Sequence, residues 1–140
     1  MSMKSLIIAF AATVGFLLSS FASPAMAFSG GNFPACDAPQ VLSYIQSRFV
    51  WTDRHVLQRG LAIESIERVH RNRSSHGHEY WSIPRLYCHG TAHMNDGHKR
   101  QIWWLIEGGQ GFAGLRDNLE FCISGLDPLK VHGAWCRSVR

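Results

Sequence analysis

All four cysteines of the chain, Cys36, Cys88, Cys122 and Cys136, lie downstream of a segment patterned for export. Lys4 gives a short positive start. Leu6 to Phe21 is an apolar run broken by Thr13, Ser19 and Ser20, and Ser23-Pro24-Ala25-Met26-Ala27 follows. Small residues at Ala25 and Ala27 fit the A-x-A pattern that signal peptidase reads. The expectation is a signal peptide over 1–27, cleaved after Ala27, and one domain over 28–140. The run is short for a bilayer span of about 20 residues, so no stable membrane span is expected after cleavage. No cysteine directly follows the run, which argues against a lipoprotein.

An even cysteine count in a small exported chain reads as a disulfide framework. There is no C-x-x-C pair, which disfavours a zinc ribbon or a thioredoxin-type redox site. Four cysteines allow three pairings, and each bridge stabilises the fold by about 2–4 kcal/mol. The net charge of the chain is +4, and Lys4 is the only charge in the leader. The remaining excess of basic residues is mild and scattered, which speaks against nucleic-acid binding.

Phe28 to Ala35 reads as a lead-in arm. Asp37 to Asp53 carries helix signals: Asp37 as N-cap, Pro39 in the first turn and Gln40 in a capping box. Val41, Leu42, Ile45 and Phe49 form an apolar stripe at helical spacing. The helix is expected to fray over Thr52 to His55, with a stop or turn at Gly60. Residues 61–71 alternate as a strand, 72–77 form a polar loop, and 79–92 form a second, aromatic-rich strand. Asn95-Asp96-Gly97 signals a hairpin, and 98–106 returns. After a glycine-rich connection over 108–114, residues 118–124 form a fourth strand. Gly125-Leu126-Asp127-Pro128 then turns into a short tail. The predicted class is α+β: an N-terminal helix packed on a four-stranded antiparallel meander, stabilised by disulfides.

With Asp96-Gly97 as the turn centre, His93 faces Arg100, His89 faces Trp104 and Tyr87 faces Ile106. One sheet face then carries Ile83, Tyr87, Ile102, Trp104 and Ile106. The other carries Leu86, Cys88, Ala92, Met94, Trp103 and Leu105. A single helix cannot cover both, so the tail over Leu126 to Trp135, or a partner, must cover the second. Cys122 points away from Leu119, Phe121 and Ile123, so a Cys122–Cys136 bond would pin the tail there and leave Cys36 to Cys88. This is the favoured pairing, provided that the geometry permits it.

Eight histidines invite a metal reading. Two groups stand out: His70, His76 and His78 near Glu79, and His93 with His98, diagonal neighbours across the hairpin tip in that register. Neither has the ligand count of a dedicated zinc site, and no cofactor is assigned. No catalytic residue is assigned either. The thiols are expected to be oxidised, Ser74-Ser75-His76 lacks a nucleophile elbow, and nothing selects a pair from Glu64, Glu67, Glu79, Glu107 and Glu120. The Gly108 to Gly114 stretch lacks the Lys-Ser/Thr of a phosphate loop. Five tryptophans, Trp51, Trp81, Trp103, Trp104 and Trp135, suit packing or binding. The candidate binding residues are Trp104, Arg100 and Tyr87, an aromatic surface beside a cation.

Tyr87-Cys88, Asp96-Gly97, Gly111-Phe112-Ala113-Gly114, Glu120-Phe121-Cys122, Gly125-Leu126-Asp127-Pro128 and Trp135-Cys136-Arg137 resemble a set found in a family of small exported four-cysteine proteins of alphaproteobacteria. The similarity extends back to Cys36. It implies a Gram-negative periplasm and four structural cysteines, and no mechanism. That family carries Trp after the Gly-Leu-Asp-Pro-like turn, where this chain has Leu129. The expected function is a non-enzymatic periplasmic domain that binds a protein or cell-envelope partner. A histidine-based metal-binding protein is the alternative, and an envelope hydrolase the third.

Overall fold

The computed structural model describes residues 34–75, 83–109 and 117–140. The expected leader over 1–27, its cleavage site, His76, His78, Glu79, Trp81 and most of the glycine-rich connection lie outside the described residues. The helix α1 (Pro39–Thr52) precedes the strands β1 (Ile63–Ser75), β2 (Arg85–Met94), β3 (Lys99–Glu107) and β4 (Asn118–Ile123). The four strands form one antiparallel sheet in the order β1-β2-β3-β4. The α+β meander is therefore as expected.

The start of α1 differs from the sequence reading. Ala38 occupies the N-cap position, and no side chain caps it. Cys36 is bonded to Cys88, and a turn closed by Ala38 N–H to the Ala35 carbonyl brings the chain into the helix. Asp37 is exposed on that turn. Pro39 opens the helix, where its missing N–H costs nothing. The stripe itself holds: Val41, Ile45 and Phe49 are buried, and Leu42 packs beside them. At the far end the helix does not fray. It continues as a π-helical turn over Asp53–Leu57 and stops at Gln58 in the left-handed region. Asp53 explains this. It is buried, and its carboxylate accepts N–H groups of Arg59 and Leu61, so the widened turn is tied to the chain beyond it.

Strand limits also shift. β1 runs on through residues 72–75, where a loop is expected, and β2 begins at Arg85 and reaches Met94. Three register shifts interrupt β1 against β2. At the middle one Arg68 adopts φ 51°, and Gly90 faces the bulge. A Cβ on Gly90 would lie 3.1 Å from the Glu67 carbonyl oxygen, so a larger residue there needs the backbone of β1 to give way.

The β2–β3 register corrects the expected one by a single residue. Met94 N–H donates to His98 O at 3.0 Å, and Gly97 N–H to Met94 O. Asn95, Asp96 and Gly97 thus form a three-residue loop, with Gly97 at φ 80°, rather than a two-residue turn. Asn95 is recruited away from the ladder. Its side-chain amide bonds the backbone of Ala62 and Gly60. His93 therefore faces Lys99, Cys88 faces Trp104 and Tyr87 faces Leu105. A slip of one residue exchanges faces, and β3 is exchanged relative to β2. Leu86, Cys88, Ala92 and Met94 join Ile102, Trp104 and Ile106 in one core beneath α1.

Tyr87, Leu105 and Cys122 lie on the other face with Trp103 partly buried. That face is closed by the tail, as expected, but by a different part of it. A 3₁₀-type segment, Ala134–Val139, buries Cys136 and Val139 there, while Leu129, Val131 and Trp135 are exposed. The bonds Cys36–Cys88 and Cys122–Cys136 are both present and no cysteine is free. Trp135 and Cys136 both have positive φ, a conformation that costs an L-residue roughly 1–2 kcal/mol. The Cys122 bond and the burial of Val139 hold the tail in it. No described helix is long and apolar enough to cross a membrane.

Candidate functional site

β4 is an edge strand with six residues. Ser124 N–H donates to Gln101 O at 2.9 Å, which fixes the alternation of the β3–β4 ladder. Asn118, Glu120 and Cys122 bond toward β3. The backbone groups of Leu119 and Phe121 point to the open edge, where no further strand pairs with them among the described residues. The Ile123 carbonyl is taken by the turn, through Leu126 N–H.

A groove of about 460 Å³ lies along this edge, between β4, the C-terminal half of α1 and the chain after β4. Leu119, Phe121 and Leu126 are its half-buried apolar floor. Six large apolar side chains are exposed among the described residues, and four of them line this one groove: Tyr44, Val56, Leu129 and Val131. Exposed apolar residues scattered singly need no explanation, whereas a contiguous group marks an interaction surface. Both walls are held in place. On the helix side, the Asp53 anchor fixes the π turn that carries Val56. On the other side, the Asp127 carboxylate accepts the N–H groups of Val131 and His132, each at 3.0 Å. That cap holds the turn that presents Leu129 and Val131, each 72% exposed.

The ionic groups near the groove are engaged with one another. Burial pulls the Asp53 carboxyl upward, but the Arg59 guanidinium and backbone N–H groups outweigh it and hold its pKa below the ordinary value. Glu120 meets His132 at 3.8 Å, and Asn118 contacts both Glu107 and Glu120. Glu107 is bonded to Arg85 at 2.8 Å. Two carboxylates thus flank Asn118, and one is committed to an ion pair.

The residues singled out from sequence are dispersed. Trp104 is fully buried under α1, and its indole N–H has no acceptor among the described residues, so it presents no surface. Arg100 pairs with Asp96 at 3.5 Å. Tyr87 is buried on the opposite face beneath the Arg73 guanidinium, 3.8 Å from its ring centre. His93 contacts Glu67 at 3.0 Å and His98 contacts Asp96 at 3.2 Å. The corrected register places His93 and His98 at positions of opposite face, so they are not diagonal neighbours. His70 meets a residue outside the expected groups, His89. Burial lowers the pKa of His89; its Gln101 contact opposes this, and nearby His70, Arg140 and Arg68 add to the lowering. No group of three or more His, Cys, Asp or Glu side chains suited to a metal occurs among the described residues.

The groove residues carry only weak signals in the sequence. Tyr44 lies off the α1 stripe. Val56 follows Phe49 by seven residues, so its signal is the helical period continued beyond the expected fray. The chain matches no family model, no curated protein and no solved structure.

Proposed function

We propose that this chain is a non-enzymatic periplasmic domain, released from its leader after Ala27, that binds a protein partner through an extended segment laid along β4. The observation that carries the reading is the coincidence of an open strand edge with exposed Tyr44, Val56, Leu129 and Val131 along the same groove. Strand addition at a sheet edge draws affinity from main-chain hydrogen bonds and specificity from alternate side chains entering flanking pockets. The outward backbone groups of Leu119 and Phe121 suit the first requirement, and the apolar walls suit the second. The two disulfides support an oxidising compartment. The placement in a Gram-negative periplasm rests on the leader and the family resemblance.

The test is site-specific photo-crosslinking in the periplasm. A photoreactive residue at position 129 or 131 should give a discrete adduct with one protein, and one at exposed Ser43, on another side of α1, should not. Adding Val56→Asp to the 129 variant should abolish the adduct. Equal labelling from all three positions, or none from 129 and 131, would overturn the proposal.

A further inference from the structure

His70 of β1 and His89 of β2 meet on the sheet face opposite α1. His70 Nε2 lies 3.0 Å from His89 Nδ1, with the rings edge to face. The outer nitrogen of each ring already faces an oxygen. His70 Nδ1 donates to the Arg68 carbonyl at 3.0 Å, and His89 Nε2 donates to Gln101 Oε1. A neutral imidazole that donates through one nitrogen offers a lone pair at the other. The two inner nitrogens are therefore both acceptors, turned toward each other. A cation shared by both nitrogens would complement this arrangement.

We propose that His70 and His89 form a two-imidazole site for copper(II). Metal-ligating histidines characteristically donate the remote N–H to a carbonyl or carboxylate, which sets the tautomer and the ring orientation. Here both do. Two nitrogens about 2.0–2.1 Å from one ion lie about 2.9 Å apart at a right angle and about 3.4 Å apart at a tetrahedral one. The observed separation is close to the right-angle value. That favours tetragonal copper(II) or nickel(II) over zinc, and copper(II) binds imidazole more strongly of the two. His89 is fixed by stacking on Trp103 at 5.0 Å between ring centres, while His70 is exposed, so the open side admits water to the remaining positions. Arg68, held on Thr91, and Arg140, over Trp103, border the pair. Their charge opposes weakly held dications and leaves the site to the ion with the highest imidazole affinity.

The test uses the mature, disulfide-bonded protein and copper(II) alone, read by electron paramagnetic resonance and calorimetry. One equivalent should bind with hyperfine structure from two imidazole nitrogens. His70→Ala should remove one nitrogen and weaken binding at least tenfold. Gln101→Leu should keep both nitrogens but weaken binding by about tenfold, as expected when an orienting partner of a ligand is lost. His76→Ala/His78→Ala should change neither spectrum nor affinity. No bound copper, a spectrum unchanged in His70→Ala, or loss of the signal in His76→Ala/His78→Ala would each overturn the site. His70 is exposed, so its variant decides the matter even if His89→Ala does not fold.

Discussion

The Asp53 carboxylate accepts the Arg59 Nε–H at 2.9 Å, and the residue is only 2% exposed. With the N–H groups of Arg59 and Leu61 on its other oxygen, it joins the end of the helix to the start of β1. Asp53→Ala should cost about 1–3 kcal/mol in urea unfolding at pH 7, because it leaves two part-buried N–H donors and the Arg59 guanidinium without their shared acceptor. The lowered pKa gives the acid behaviour its sign. Asp53 contributes stability that is complete above its unfolded value of 3.8 and is lost as pH falls through the folded value. The stability difference between wild type and Asp53→Asn should therefore shrink below pH 3.8.

The two disulfides should differ in worth. Cys36–Cys88 closes a separation of 52 residues and Cys122–Cys136 one of 14. Loop entropy gives about 4 and about 3 kcal/mol respectively. Denaturant unfolding of paired Cys→Ala variants checks the order. Loss of Cys122–Cys136 should also free Val139 and Trp103, seen as faster hydrogen exchange in Tyr87 and Leu105.

Gly90→Ala should destabilise by about 1–3 kcal/mol, the usual cost of overpacking. The new methyl would meet Glu67 O at 3.1 Å, Ile66 Cγ2 at 3.3 Å and Trp104 Cη2 at 3.4 Å. The backbone and the buried indole cannot retreat as an exposed side chain could. Thermal unfolding gives the readout, and an unchanged midpoint would show that β1 shifts to make room.

Trp104→Phe should cost less than its size suggests, about 1 kcal/mol, against about 3–5 for Trp104→Ala. The indole Nε1 is buried with no acceptor among the described residues, so removing it relieves an unmet desolvation cost that offsets part of the lost packing. Comparing the two variants in one denaturant series isolates that offset.

Most of the scaffold was legible in the sequence, and the reason differs from element to element. Val41, Ile45 and Phe49 announce α1 because helical spacing and burial coincide there. Cys122 announced its own partner because alternation along β4 separates it from Leu119, Phe121 and Ile123. The β2–β3 register is not legible from local turn rules, because Asn95 serves the backbone of Gly60 and Ala62 through long-range bonds. That single residue moved Trp104 from a candidate surface to the centre of the core. The groove was hidden for a related reason. Its walls come from Tyr44, Val56 and Leu129, which are far apart in the chain and share no period.

The three register shifts in β1 have a consequence for assembly. Broken in this way, and carrying Arg68, Arg71 and Arg73, that margin is a poor template for a straight neighbouring strand. Among the described residues, β4 is then the margin better suited to strand addition. Molecules with one adhesive margin form pairs or capped complexes and terminate there. Those with two polymerise. The irregularity of β1 thus works against open-ended, edge-to-edge growth of the sheet.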